Sequence, residues 1–287
     1  MRHLAFSSFK KITAAFFCTC LYTSAAFCQD DQHTDFVVNT AQPAVFTPGV
    51  VSTDADEFAP SFTPDGKSVY FSADDEIYFS KKIKGKWQKR VVAGFSGRWH
   101  DMDPFVSPDG KKLFFSSYRP LDGADQSAPQ KFAHIWYVEH ISGDEWSTPH
   151  HLGAPVNMDG INNYAPSVSK SGTLCFFSPR RDARYARKSY YARLINDSYE
   201  EPKPLLLNDA DVKDTYIAPD ESYLLFTCGA DIYISYRNNT GWSRGKKLGA
   251  NINNGKSNAA PYVSPDGKTL YYCSEGTHGI LMIPVNR

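Results

Sequence analysis

Ser264-Pro265-Asp266-Gly267-Lys268-Thr269-Leu270-Tyr271-Tyr272 is a tight turn followed at once by a block of apolar residues. Pro sets the first corner, the Asp side chain accepts a hydrogen bond from the backbone downstream, and Gly takes the left-handed conformation that sends the chain back as a hairpin. Adjacent apolar residues, in place of strict alternation, mark a strand covered on both faces. The same unit stands at four earlier places. Thr63-Pro64-Asp65-Gly66 leads into Val69-Tyr70-Phe71, and Ser107-Pro108-Asp109-Gly110 into Leu113-Phe114-Phe115. Ser169-Lys170-Ser171-Gly172 leads into Cys175-Phe176-Phe177, and Ala218-Pro219-Asp220-Glu221 into Leu224-Leu225-Phe226. Two copies depart from the pattern: Lys170 and Ser171 replace Pro and Asp, and Glu221 replaces Gly, where a positive φ costs about 1 kcal/mol.

Each unit continues with a third apolar run: Ile77-Tyr78-Phe79, Ile135-Trp136-Tyr137, Tyr190-Tyr191, Ile232-Tyr233-Ile234 and Ile280-Leu281-Met282. A fourth strand is marked by Trp87, Trp146, Tyr199 and Trp242. A four-stranded unit repeated about every fifty residues cannot bury its own faces and stacks on its copies. The fifth unit has no fourth strand before Arg287, whereas Ala44 to Val51 is apolar and attached to no unit. Pairing of that segment with the last sheet closes a ring and leaves no long exposed edge. The expected fold is therefore all-β, a β-propeller of four-stranded antiparallel blades closed by an N-terminal strand. Five blades are expected; a sixth, degenerate one is the alternative, hidden in the inserted polar stretch from Tyr118 to Gln130.

The pattern resembles the TolB-like propeller repeats, relatives of the WD-type repeats, from about Glu57 to the end of the chain. The matching residues are Pro60, Pro64, Asp65 and Gly66; Pro104, Pro108, Asp109 and Gly110; Pro166 and Gly172; Pro219 and Asp220; Pro261, Pro265, Asp266 and Gly267. The resemblance implies the fold and a Gram-negative envelope setting. The extra α/β domain of the translocation protein TolB has no room here, so that protein's partner does not carry over.

The first residues read as a targeting segment. Arg2, Lys10 and Lys11 form a basic start, residues 12 to 27 are apolar and too short for a comfortable span, and cleavage is expected near Cys28-Gln29. The expected organisation is a signal peptide over 1–28, a disordered linker over 29–43 and one propeller domain over 44–287. Export to the periplasm or outside the cell follows, with lipidation at Cys28 as the lesser reading because Phe27 stands where a small residue is usual.

Of 31 basic residues the segment holds three, which leaves 28 against 31 acidic ones, a formal charge of −3. A near-neutral surface lacks the concentrated basic face of a nucleic-acid binder. The runs Lys81-Lys82 and Lys246-Lys247 read as solvated edge charges. Beyond the leader the cysteines are Cys175, Cys228 and Cys273, an odd number with no paired-Cys zinc spacing. They read as buried free thiols, with a Cys228 to Cys273 bridge as the alternative. After removal of the leader no transmembrane span is expected, and the chain reads as a monomer.

Aligning the copies on their turns places Glu57, Asp101, Asn163, Val212 and Asn258 in one ring, and Ala59, Asp103, Ala165, Asp214 and Ala260 in a second, two residues on. Together they form an expected acidic channel mouth, with Trp99 and His100 beside it. The expected ligand-binding residues are Glu57, Trp99, His100, Asp101, Asp103, Asn163, Asp214 and Asn258. The expected occupants are an envelope protein, a peptide or a glycan. No cofactor is expected; calcium is the metal that such oxygen ligands would suit. No Gly-x-Ser-x-Gly elbow, His-Glu-x-x-His zinc helix or phosphate-binding glycine loop occurs. The leading expectation is a non-catalytic binding propeller. Its alternative is a carbohydrate-active enzyme using Glu57 with Asp101 or Asp214 as acid and base.

Overall fold

The five turn-and-strand units fold into five antiparallel sheets, each beginning at the centre of the ring. A computed structural model describes residues 36–286 except 122–123, 125, 183–184 and 209–210. The expected leader and Cys28 lie outside the described residues. No helix occurs among those described, and none is long and apolar enough to cross a membrane.

Blade 1 consists of Phe58–Phe62, Ser68–Ala73 and Glu76–Ile83, with Lys86–Trp87 and Val91–Val92 sharing the outer edge. Blade 2 starts at Asp101–Val106, blade 3 at Tyr164–Val168, blade 4 at Lys213–Ile217 and blade 5 at Asn258–Val263. The second strands are buried along their length, as runs of adjacent apolar residues require: Val69, Phe71, Leu113, Phe115, Leu174, Phe176, Leu224 and Phe226 are all 0 % exposed. Five blades account for the described chain, and the inserted stretch after Tyr118 connects two strands of blade 2.

The turns have the expected chemistry. Thr63 Oγ1 donates to Asp65 Oδ1 (2.7 Å), which also accepts from the Lys67 N–H (3.0 Å); Ser107 with Asp109 and Ser264 with Asp266 repeat the arrangement. The Thr63 hydroxyl holds the Asp65 carboxyl below its ordinary range, as the Ser264 hydroxyl does for Asp266. The two irregular turns compensate one another. Glu221 adopts the left-handed φ of 57° that glycine would take, and its Oε1 accepts from Ser169 Oγ (2.9 Å) and Ser171 Oγ of the other irregular turn. Arg237 completes the anchoring at 3.0 Å from Oε2. A residue strained on its own is thus held by charge-assisted hydrogen bonds between blades 3 and 4.

The N-terminal segment closes the ring, through two short pairings. Ala44–Val45 pairs with Met282 and Leu281, and Val37–Val38 with Asn286 and Val285. The expected closing strand from Ala44 to Val51 is therefore corrected to two residues. The pairing of Val37–Val38 falls inside the stretch 29–43 expected to be a disordered linker. Phe46 makes the closure tight by packing on Phe62, Trp87 and Tyr271, with ring centroids 5.2 to 5.7 Å away. Such seams explain the aromatic content: Trp146 Nε1 of blade 2 likewise donates to the Tyr70 hydroxyl of blade 1 (2.8 Å). Cys175, Cys228 and Cys273 are free thiols, so the alternative bridge is absent. Burial pushes the Cys273 thiol up to about 12.

Candidate functional site

Every first strand carries the same irregularity. In blade 1 Phe58 pairs with Ser72 and Ser61 with Tyr70, so three steps on the first strand face two on the second. The equivalent bulge occurs in the other four blades. It places Ala59, Asp103, Ala165, Asp214 and Ala260 at φ of 51, 55, 49, 49 and 50°. An extra residue re-aims side chains where a strand would otherwise alternate, and here it turns these five towards the channel. Their backbones are held between blades: the Asp103 N–H donates to Ser72 Oγ of blade 1 (2.8 Å), and the Ala165 N–H to Asp103 Oδ2 of blade 2 (3.0 Å).

The first expected ring does not reach the channel. Glu57, Asp101, Asn163 and Asn258 are 0 to 1 % exposed and sit in the seams between blades. The N–H groups of Asp101, Asn163 and Asn258 each donate to the carbonyl of a turn in the preceding blade, at Asp75, Ala133 and Ala230. Glu57 accepts from the Thr53 N–H (2.9 Å) and from Arg90 Nη1 (2.7 Å). Asp101 accepts from Ser96 Oγ (2.8 Å), Ser117 Oγ and Arg119 Nη2 (2.8 Å). Asn163 reaches Asn157 Oδ1 at 3.4 Å, and Asn258 donates to the Ile252 carbonyl at 3.2 Å. Each carboxylate is neutralised by its own arginine. Glu57 and Asp101 are therefore not assembled as an acid and base.

The sequence reading passed over both arginines. The signal that reveals them is energetic: a buried carboxylate needs a partner cation, and Arg90 stands between the two outer strands of blade 1 while Arg119 follows the second strand of blade 2.

The second ring does line the channel. Asp103 and Asp214 share a cavity of about 50 Å³ with Ala59, Ala165, Ala260 and the prolines that follow these three alanines and Asp103. Below it the rings of Phe105, Tyr216 and Tyr262 meet at centroid distances of 5.4 to 6.2 Å and plug the lower end. The channel is thus a blind cup, with room for a few water molecules. Burial, with the charge of Asp214, pushes the Asp103 carboxyl up to about 6 against the bonds from Ala165 and Ser116. Burial raises Asp214 as well.

Trp99 and His100 stand on the rim. His100 Nε2 lies 3.0 Å from Asp75 Oδ1, and its ring stacks on Tyr118 at 5.2 Å. The Tyr118 hydroxyl meets that of Tyr164 at 2.7 Å. Trp99 is half-buried, with Arg98 over its ring at 4.7 Å. Asp75, His100, Tyr118 and Tyr164 thus join three blades in one partly exposed aromatic shelf. Tyr118 and Tyr164 were absent from the expected site, since one opens an insertion and the other occupies a bulge that strand alternation does not foresee.

Among the described residues no group of three or more His, Cys, Asp or Glu is placed to hold a metal ion. Asp103 and Asp214 alone fall short of the six to eight oxygen ligands that calcium takes.

No protein-family model matches the chain, and no curated protein sequence matches it. Solved structures do resemble it. A putative TolB from Agrobacterium tumefaciens aligns at TM-score 0.52 and 16 % identity, over 77 % of this chain and 71 % of that one. An alpha-L-arabinofuranosidase from Lactobacillus brevis aligns at 0.55 and 11 %, over 82 % and 92 %. An endo-arabinanase of family 43 from Bacillus licheniformis aligns at 0.51 and 15 %, over 82 % and 96 %. At such identities the likeness establishes the architecture: the chain is a five-bladed β-propeller. A putative TolB and two arabinan-type glycosidases alike share it, so function rests on the site.

Proposed function

We propose that this propeller is a non-catalytic binding module of the periplasm or cell envelope, which recognises its partner at the channel mouth and the aromatic shelf beside it. The observation that carries the reading is the disposition of the acids. Glu57 and Asp101, the pair best suited by sequence to acid–base work, are each held by their own arginine. Asp103 and Asp214 lie in a cup too small to admit a sugar ring. What the mouth offers a large ligand is His100, Tyr118, Tyr164 and Trp99, flat surfaces with polar edges that suit stacking and hydrogen bonding. The envelope setting rests on the apolar leader with its basic start.

The test is capture from an envelope extract by the purified protein, with mass spectrometry of proteins and glycans, beside the Tyr164→Ala variant. Specific capture lost in that variant, without turnover of envelope glycans, supports the reading. Glycan turnover that disappears in Glu57→Gln while the variant stays folded refutes it.

A further inference from the structure

Between Glu76 and Asp101 the chain has no acidic residue, and five lysines crowd one short stretch of it: Lys81, Lys82, Lys84, Lys86 and Lys89. They occupy the hairpin that joins the last strands of blade 1, where Lys82 pairs with Trp87 and Ile83 with Lys86. The Lys82 N–H donates to the Lys67 carbonyl (2.7 Å). The hairpin therefore runs past the Thr63-Pro64-Asp65-Gly66 turn, on the side of the ring opposite the channel mouth. Lys81 is paired with Asp144, and Lys67 with Asp65 (3.6 Å). Lys82, Lys84, Lys86 and Lys89 are exposed, and among the described residues none of them is paired with an acid.

The repeat does not require these charges. The corresponding hairpins carry Asp144 and Glu145 in blade 2, Asn196 and Asp197 in blade 3, and Asn238 and Thr240 in blade 4. Those edges stay polar without a lysine, so solvation alone does not account for four ammonium groups that repel one another at a single tip.

Apolar residues accompany them. Ile83 at this tip is 53 % exposed, Ile141 in the blade 2 hairpin 63 % and Ile195 in the blade 3 hairpin 48 %. Corresponding positions around one axis lie at one height, so the three isoleucines reach one plane. Exposed apolar tips in a plane, beside unpaired lysines, fit a flat partner with an anionic surface and an apolar interior, which is a lipid bilayer. A soluble polyanion would take the lysines and leave the isoleucines in water. The acids of the neighbouring hairpins are mostly engaged, Glu139 with Lys112 (3.6 Å) and Glu145 with Ser142 (3.2 Å). Asp197 stands at the blade 3 tip, so blade 1 leads the contact.

The chain also enters the ring on this side. Val37 pairs with Asn286 at the turn end of blade 5, where the Val285 N–H donates to the Lys268 carbonyl (2.8 Å). Phe36 follows Cys28 by at most about 28 Å of extended chain, so the apolar leader is attached at the turn side.

We infer that the turn side of blades 1 to 3 docks on an anionic bilayer, led by the lysines of the blade 1 hairpin, with the channel mouth turned away from the membrane. This surface is separate from the one that recognises the partner.

Vesicle sedimentation tests it with the chain from Gln29 onward, which contains the whole ring without the apolar leader, at pH 7.5 and about 50 mM salt. Phosphatidylcholine vesicles containing about one third phosphatidylglycerol bind the protein, and phosphatidylcholine alone does not. Raising the salt to about 0.5 M releases it, because exposed charges are screened. Lys82→Gln, Lys84→Gln and Lys86→Gln together lower the partition about a hundredfold, at roughly fivefold for each lysine. Ile83→Ser lowers it several-fold, and neither variant moves the melting temperature, since all four side chains are exposed. Lys131→Gln, Lys246→Gln and Lys256→Gln together remove the same charge elsewhere and leave the partition within about twofold of the parent. Equal binding to phosphatidylcholine, no binding to the anionic vesicles, or an equal loss in that control overturns the inference. So does unchanged partition of Ile83→Ser, the outcome for a surface that holds soluble polyanions through lysines alone. Partner capture that depends on Tyr164 is untouched by these variants, so the two readings fail separately.

Discussion

Asp103→Asn should stabilise the free protein, and only above a definable pH. The carboxyl of Asp103 is raised from 3.8 to about 6 by burial in the channel and by the charge of Asp214. Between those values the folded protein holds a proton that the unfolded chain has released, so stability falls as pH rises through 6. The stabilising contribution of the protonated acid is complete only below 3.8. That interval, at about 1.4 kcal/mol per tenfold change in proton affinity, corresponds to about 3 kcal/mol; screening by water at the mouth brings the expected effect to about 1–2 kcal/mol. Asparagine tolerates the left-handed φ of 55° at this position. Its amide oxygen can still accept from the Ala165 N–H and Ser116 Oγ, the two bonds that Asp103 Oδ2 makes. Urea unfolding of both proteins at pH 4.0, 5.5 and 7.5 measures the difference, and acid effects common to both cancel. The gain should be near zero at pH 4.0 and complete at 7.5. A gain independent of pH, or a loss at 7.5, refutes the argument that an ionised Asp103 is uncomfortable in this cup.

Three further outcomes follow from the seams. Arg90→Met leaves the Glu57 carboxylate buried without its cation and should cost about 3–5 kcal/mol in denaturant unfolding; a cost below 1 kcal/mol would show that the pair is not needed. Phe46→Ala opens a hole between Phe62, Trp87 and Tyr271 where the ring closes. It should cost about 3–5 kcal/mol and speed amide exchange at Leu281 and Met282, whereas exchange unchanged at those residues contradicts a closing role for the segment. A double-mutant cycle of Ser171→Ala with Glu221→Gln should give a coupling of about 0.5–2 kcal/mol, because the two irregular turns hold each other; additive losses would separate them.

The fold was legible in this sequence because a propeller blade is a local object. Hairpin turns, adjacent apolar residues and the aromatic of the fourth strand are all set within a few residues of one another, and five copies leave few ways to bury them. The free thiols were readable in part, since an odd count leaves one cysteine unpaired while a Cys228 to Cys273 bridge stayed open until the structure showed all three free. The exact closure was not. Val37–Val38 and Ala44–Val45 are too short to announce themselves as strands, and their pairing partners lie at the opposite end of the chain.

The site was legible only in part, for a reason visible in one strand. Strand alternation placed Glu57 and Ala59, or Asp101 and Asp103, on the same side, facing the channel together. The bulge breaks that alternation: Asp103 turns inward while Asp101 stays in the seam against Arg119. Sequence by itself determined the repeating unit and made five blades the expected number, because these follow from turn chemistry and apolar patterning counted locally. Which carboxylates meet arginine and which meet the cavity, and that Tyr118 and Tyr164 meet at all, was decided only by tertiary structure. Those partners are brought together by the radial stacking of blades, across distances in the chain that no local pattern encodes.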